Sequence, residues 1–191
     1  MTGPGLRAAK VLAKSGLTFT RVASGMFLDY FGLPNIPSHL RAFQWGLNVP
    51  ARTAAVPGTG NEQFSVTYSK DLARFLDRLV DETEWPEWSI ISGADTSMNE
   101  LVGLAEKVTG DKFDVAYDPI EDLEKGKATL VFDGGASYGG MDPAMMAAML
   151  GLSIAQEKML LPKDGRLNDK FPDIQPKTVK AFMTEAWSIK S

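Results

Sequence analysis

The chain has no cysteine and a single histidine, His39, among its 191 residues. The first absence removes disulfides, thiolate catalysis and cysteine-ligated zinc or iron–sulfur sites. The second removes any metal site that needs two imidazoles. It leaves carboxylates, lysine or tyrosine for acid–base work. Basic charge is also scarce: 20 Lys and Arg stand against 24 Asp and Glu, for a formal net charge of −4. No Lys/Arg block stands out, so nucleic acid is not an expected partner. No apolar run reaches the roughly 18 residues of a membrane span. The most apolar stretch, Ala144 to Ala155, is interrupted by Gly151 and Ser153. No membrane partner is expected, and with no secretory signal visible a cytoplasmic or nuclear address is the default. The first 28 residues carry Arg7, Lys10, Lys14 and Arg21 and no acid before Asp29. A transit peptide has that composition, and so does a surface helix followed by a buried β-rich strand.

What the sequence does have is core material. Apolar residues make up 44% and charged residues 23%, enough for one packed domain or slightly more. Leu6 to Lys14 reads as a helix and Leu17 to Ala23 as a strand. The Ser24-Gly25 turn leads into the apolar and aromatic Met26 to Phe31, which Gly32, Pro34 and Pro37 then break. Arg52 to Val56 and Phe64 to Tyr68 read as strands. Between them, the Gly58-Thr59-Gly60-Asn61 turn calls for positive φ at Gly and Asn. From Ser69, a candidate cap, Leu72, Phe75, Leu76, Leu79 and Val80 recur at helical spacing. Trp88 to Ser92 is a strand. Ser97 or Thr96 caps the next helix and Gly110 ends it; Phe113 to Tyr117 is a strand and Pro119 to Glu124 a short helix. Asp142 to Met159 and Thr178 to Ser188 look helical, joined by a polar connector from Pro162 to Pro176. Alternation of strands and helices predicts an α/β domain with parallel strands.

Few motifs carry chemistry. Gly135-Ala136-Ser137-Tyr138-Gly139 fits G-x-S-x-G between a strand-like Thr129 to Phe132 and a helix, the context of a nucleophile elbow. That device needs a histidine after the serine, and none follows Ser137. The same glycines do not fit G-x-G-x-x-G, because Ala136 stands at the second glycine, and no G-K-[ST] follows. A flexible loop is the simpler reading. None of Tyr30, Tyr68, Tyr117 and Tyr138 has a lysine four residues on, so the Tyr-x-x-x-Lys acid–base pair is missing. The neighbouring carboxylates Asp71 with Asp77, and Glu121 with Asp122, read as solvated helix faces.

Four phrases taken in order carry a resemblance: SGLTFTRVASGMFLDYFG (Ser15 to Gly32), AAVPGTGNEQFSVTYSKDLARFL (Ala54 to Leu76), SIISGADTSMNELVGLAEKVTG (Ser89 to Gly110) and KFDVAYD (Lys112 to Asp118). Together they resemble the C-terminal half of the NmrA-like family, fungal relatives of isoflavone reductases among the atypical short-chain dehydrogenases. The resemblance implies a partial Rossmann-like domain of late parallel strands and helices, with a smaller α/β subdomain on the substrate side. It places the NAD(P)-binding part within residues 1–130 and a mostly helical C-terminal extension in 131–191. The family's glycine fingerprint lies in its first strand–helix turn, a turn this chain does not contain, so NAD(P) is implied by the family and this chain alone is expected to be inactive. The reductases' lysine near the start of the first helix finds Gly3, Pro4, Gly5, Leu6 and Arg7, with Lys10 further along; no catalytic residue is carried over. By the same resemblance Ala23, Ser24, Gly25 and Phe27 border the cofactor, and Met26, Phe27 and Tyr30 line the substrate pocket. Packing of Met26, Phe27, Leu28 and Phe31 into the core is the competing reading.

Three functions compete. An NAD(P)H-dependent reductase would act on a small aromatic or secondary-metabolite substrate. A non-catalytic dinucleotide sensor would bind a protein partner. A cofactor-free scaffold would leave a sheet edge for a partner to cover.

Overall fold

Hydrogen bonding along the backbone defines eight short strands and seven α-helices among the described residues, 4–133 and 140–188 of this computed structural model. In chain order they are α1 (Pro4–Leu12), β1 (Arg21–Ala23), β2 (Met26–Phe27), β3 (Leu47–Asn48), β4 (Thr53–Pro57), β5 (Phe64–Thr67), α2 (Ser69–Val80), β6 (Trp88–Ile90), β7 (Ala94–Thr96), α3 (Met98–Thr109), β8 (Asp114–Asp118), α4 (Ile120–Leu123), α5 (Pro143–Ala155), α6 (Leu167–Lys170) and α7 (Val179–Trp187). A 3-10 turn, Leu28–Phe31, follows β2 directly.

The expected parallel pairing is present: β1 with β6, β2 with β5, and β4 with β8 all run parallel. Two unforeseen antiparallel strands complete the sheets, β3 on β4 and β7 on β5. Both are two or three residues long, too short to show alternation. In addition, β7 lies between Gly93 and the Ser97 cap, where the sequence reads as a helix entry. β1 is shorter than its β-rich sequence suggests. Its partner β6 offers three residues, and Leu17 is exposed with nothing to pair against.

One core joins residues from Met26 to Ala186. Phe64, Val66 and Val56 from the strands pack with Met98 and Leu101 of α3 and with Phe182 and Met183 of α7. Full burial of each such side chain is worth about 1.5–3 kcal/mol. A second cluster joins Phe75 and Leu79 of α2 to Leu167, Phe171 and Ile174. The Pro162–Pro176 connector is therefore not merely polar. Its apolar residues are spaced irregularly around α6 and anchor the segment against α2.

Caps are set as much by distant residues as by local ones. Ser97 accepts from Glu100 N at 3.3 Å, Asp142 from Met145 N at 3.0 Å and Thr178 from Ala181 N at 3.1 Å. α2 differs from its sequence reading. Ser69 is its first helical residue, and it is the buried Asp29 that accepts from Ser69 N at 2.9 Å and Ser69 Oγ at 2.6 Å. Asp29 also accepts from Ser38 Oγ at 2.8 Å, and its charge lies at the positive end of the helix dipole. Asp71 is buried rather than on a solvated face, because its carboxylate accepts Lys177 N at 2.7 Å and ties α2 to the entry of α7. In the glycine turn, Gly58 and Gly60 take positive φ, but Asn61 does not. Asn61 instead accepts a hydrogen bond from Asn99 Nδ2 at 2.9 Å.

A polar junction fastens the tail to the sheet. Asp95 of β7 accepts from Ser65 Oγ at 2.7 Å, Ser92 Oγ at 3.1 Å and Arg166 Nη2 at 3.0 Å. Burial pushes the Asp95 carboxyl up. The hydrogen bonds from Ser65, Arg166 and Ser92, with the Arg166 charge, outweigh that and hold it below its usual range. A carboxyl depressed in the folded state contributes stability that is present above its unfolded value of about 3.9 and lost as pH falls below it. Urea midpoints measured down a pH series are expected to show this acid loss in the native chain. Asp95→Asn should flatten that part of the profile and cost about 2 kcal/mol at neutral pH by leaving Arg166 unpaired. An unchanged acid limb in Asp95→Asn would contradict the assignment.

Candidate functional site: an aromatic cleft

A cleft of about 510 Å³ opens between the loop after β2, strand β3 and the end of α7. A volume of this size suits a small organic ligand. The 3-10 turn presents Tyr30, and the following loop, with a cis Leu33–Pro34 bond, supplies Leu33 and Pro34. Phe43 stands against Tyr30, their ring centroids 5.4 Å apart and tilted by 55°. Phe132 and Trp187 add further rings.

Hydrogen bonds lock two of these walls. Trp187 Nε1 donates to Phe31 O at 2.7 Å, fixing the indole at the end of α7 against the 3-10 turn. Asn48 Nδ2 donates to Val131 O at 2.5 Å and joins β3 to the 129–133 segment. The indole donor of Trp187 is thereby committed, as is one of the two N–H groups of the Asn48 amide. A second depression of about 420 Å³ adjoins the cleft and shares Asn48, Phe132 and Asp133.

The residues singled out from the sequence fall in three places. Tyr30 lines the cleft. Phe27 sits one layer back, edge-on to Tyr30 with centroids 6.2 Å apart, and Met26 is buried in the core. Ala23 ends β1, and its carbonyl accepts Ile91 N at 2.8 Å. Ser24 is half-buried beside it. Gly25 has φ +65°, and a Cβ there would fall 2.2 Å from Ser65 O. Its bare face is therefore taken up by the neighbouring strand's backbone. Ala23, Ser24, Gly25, Met26 and Phe27 line none of the described cavities.

Sequence reasoning missed Phe43, Phe132, Asp133 and Trp187. Trp187 was assigned only to a final helix, and the others carry no motif. The Gly135–Gly139 motif lies outside the described residues. His39 is an exposed loop residue. Among the described residues no group of His, Asp and Glu could hold a metal ion, and no helix is long and apolar enough to cross a membrane.

For a dinucleotide the fit is partial. The C-terminal ends of parallel strands are where α/β folds receive such ligands, and Ala23, Ser24, Ser92 and Gly93 put small residues at those ends of β1 and β6. Among the described residues, no glycine-rich strand-to-helix turn forms a phosphate cradle there.

No protein-family model matches the chain. An oxidoreductase, swnN of Metarhizium robertsii, is 29% identical over 192 residues, covering 95% of this chain and 55% of the relative. A phenylcoumaran benzylic ether reductase, IRL1 of Ginkgo biloba, is 32% identical over 133 residues, 68% of this chain and 41% of that protein. The fold matches leucoanthocyanidin reductase of Vitis vinifera, solved as a binary complex with NADPH. The TM-score is 0.65 at 18% identity, over 94% of this chain and 57% of that one. The chain thus spans about half the length of the curated relatives it matches.

Proposed function

We infer that this chain, a homologue of isoflavone reductase-like oxidoreductases with their Rossmann-type fold, forms the substrate-side part of an NAD(P)H-dependent reductase of small aromatic compounds. The observation that carries this reading is the cleft lined by Tyr30, Phe43, Phe132 and Trp187, with Phe27 of β2 edge-on behind Tyr30. Offset and edge contacts between such rings and a planar substrate orient it, and each is worth about 0.5–1.5 kcal/mol beyond its buried area. Bound, the reduced nicotinamide would supply the hydride. Ala23, Ser24, Gly25 and Phe27 would border it, with Phe27 backing the Tyr30 ring that holds the substrate. Closing aromatic walls around the ligand also keeps water from the reacting centre.

The test uses the complete polypeptide that contains this sequence. NADPH consumption is followed with simple aromatic enones, in the native protein and in Phe43→Ala. The expected result is turnover, with kcat/KM reduced about tenfold in the variant, the loss of one aromatic contact plus its buried area. NADPH binding without turnover on any enone would replace the reductase by a dinucleotide sensor.

A further inference from the structure

We propose that the aromatic cleft selects a planar ligand bearing a positive charge, an amine or a quaternised ring nitrogen, with Asp133 as its counter-ion. The proposal rests on the cleft being the substrate site and adds the ligand's charge.

Three observations converge. The first is the walls. The rings of Tyr30, Phe43, Phe132 and Trp187 stand around one space. The face of an aromatic ring is electronegative, so a cation beside several faces is attracted by each. The second is the donors. The indole N–H of Trp187 and one of the two Asn48 Nδ2 N–H groups are already bonded, to Phe31 O and Val131 O.

The third is the charge. Asp133 is the one ionised residue among those lining the cleft, and no Lys or Arg lines it. Among the described residues Asp133 has neither an ion pair nor a hydrogen bond. Asp133 is exposed, so its carboxylate stands at the solvent rim of the space that the aromatic residues line. A cation would find both ring surfaces and a carboxylate. The shared lining of the adjoining depression places Asp133 between the two spaces, where it reaches a ligand in either.

Calorimetric titration of this chain tests the proposal with N-methylquinolinium, its near-isostere quinoline at mildly alkaline pH where quinoline is uncharged, and naphthoate. The quinolinium is expected to bind about tenfold tighter than quinoline, from the contact with the ring faces and the partly exposed ion pair together. Asp133→Asn should reduce that preference to about threefold, and Tyr30→Leu should weaken all aromatic ligands, with circular dichroism confirming both variants folded. Equal affinity for quinolinium and quinoline overturns the charge preference and leaves the reductase reading intact. An undiminished preference in Asp133→Asn removes Asp133 from the role. Tighter binding of naphthoate overturns the proposal outright, and binding of none of the three overturns the cleft as a ligand site together with it.

Discussion

Replacing Phe182 with alanine is expected to lower the stability of the chain by about 3–5 kcal/mol. Phe182 is fully buried in α7. Its ring packs edge-on to Tyr68, 5.2 Å between centroids. It also fills the space above Gly32, where a Cβ would come within 2.7 Å of the ring. Removing it opens a cavity between the 3-10 turn, β5 and α7 that rigid backbone on several sides cannot close. In a domain of this size the loss corresponds to a fall in Tm on the order of 10 °C. Because α7 carries Trp187, ligand binding in the cleft should weaken as well. A urea midpoint in Phe182→Ala within 0.5 kcal/mol of native, the usual effect of a neutral surface substitution, would show that α7 is not docked as described.

Gly25→Ala is expected to cost about 3 kcal/mol, from two separate causes. At φ +65° an L side chain costs on the order of 1 kcal/mol. The added methyl would also lie 2.2 Å from Ser65 O and 2.7 Å from Ser65 C. Both are backbone atoms of β5, so β2 and β5 must move apart, with an overpacking cost of about 1–3 kcal/mol. Thermal unfolding without added ligand separates this from a role in approaching a cofactor. A structural glycine loses stability in the bare chain, whereas a glycine needed only for ligand approach keeps its Tm and loses affinity.

Much of the architecture was legible because the sequence repeats its message. In α3 the Ser97 cap, the Leu101, Leu104 and Ala105 face and the Gly110 stop all agree, and the helix runs Met98–Thr109 with Gly110 at φ +78°. The apolar face of α2, Leu72, Phe75, Leu76 and Leu79, is equally legible, although its cap is not. What was not legible depends on partners far along the chain. Asp29 reads as a polar break in an apolar run until Ser69, forty positions away, presents its N–H. Leu167, Phe171 and Ile174 look like scattered apolar residues in a polar connector until α2 supplies the surface they cover. The site follows the same rule. Tyr30 is named by the family resemblance, as part of the segment that follows the first strand, and it lines the cleft. Trp187 was not named, because its neighbour Phe31 lies 156 residues away.

That separation has a consequence for how the protein is made. Synthesis delivers Tyr30 and Phe43 early, and Trp187 only after about 10–30 s more at ordinary elongation rates. During that interval the Tyr30 and Phe43 wall of the cleft lacks its Trp187 neighbour. Ligand competence therefore arrives only once α7 has been made and has docked. A nascent chain stalled before residue 187 should present a sticky aromatic ledge instead of a binding site.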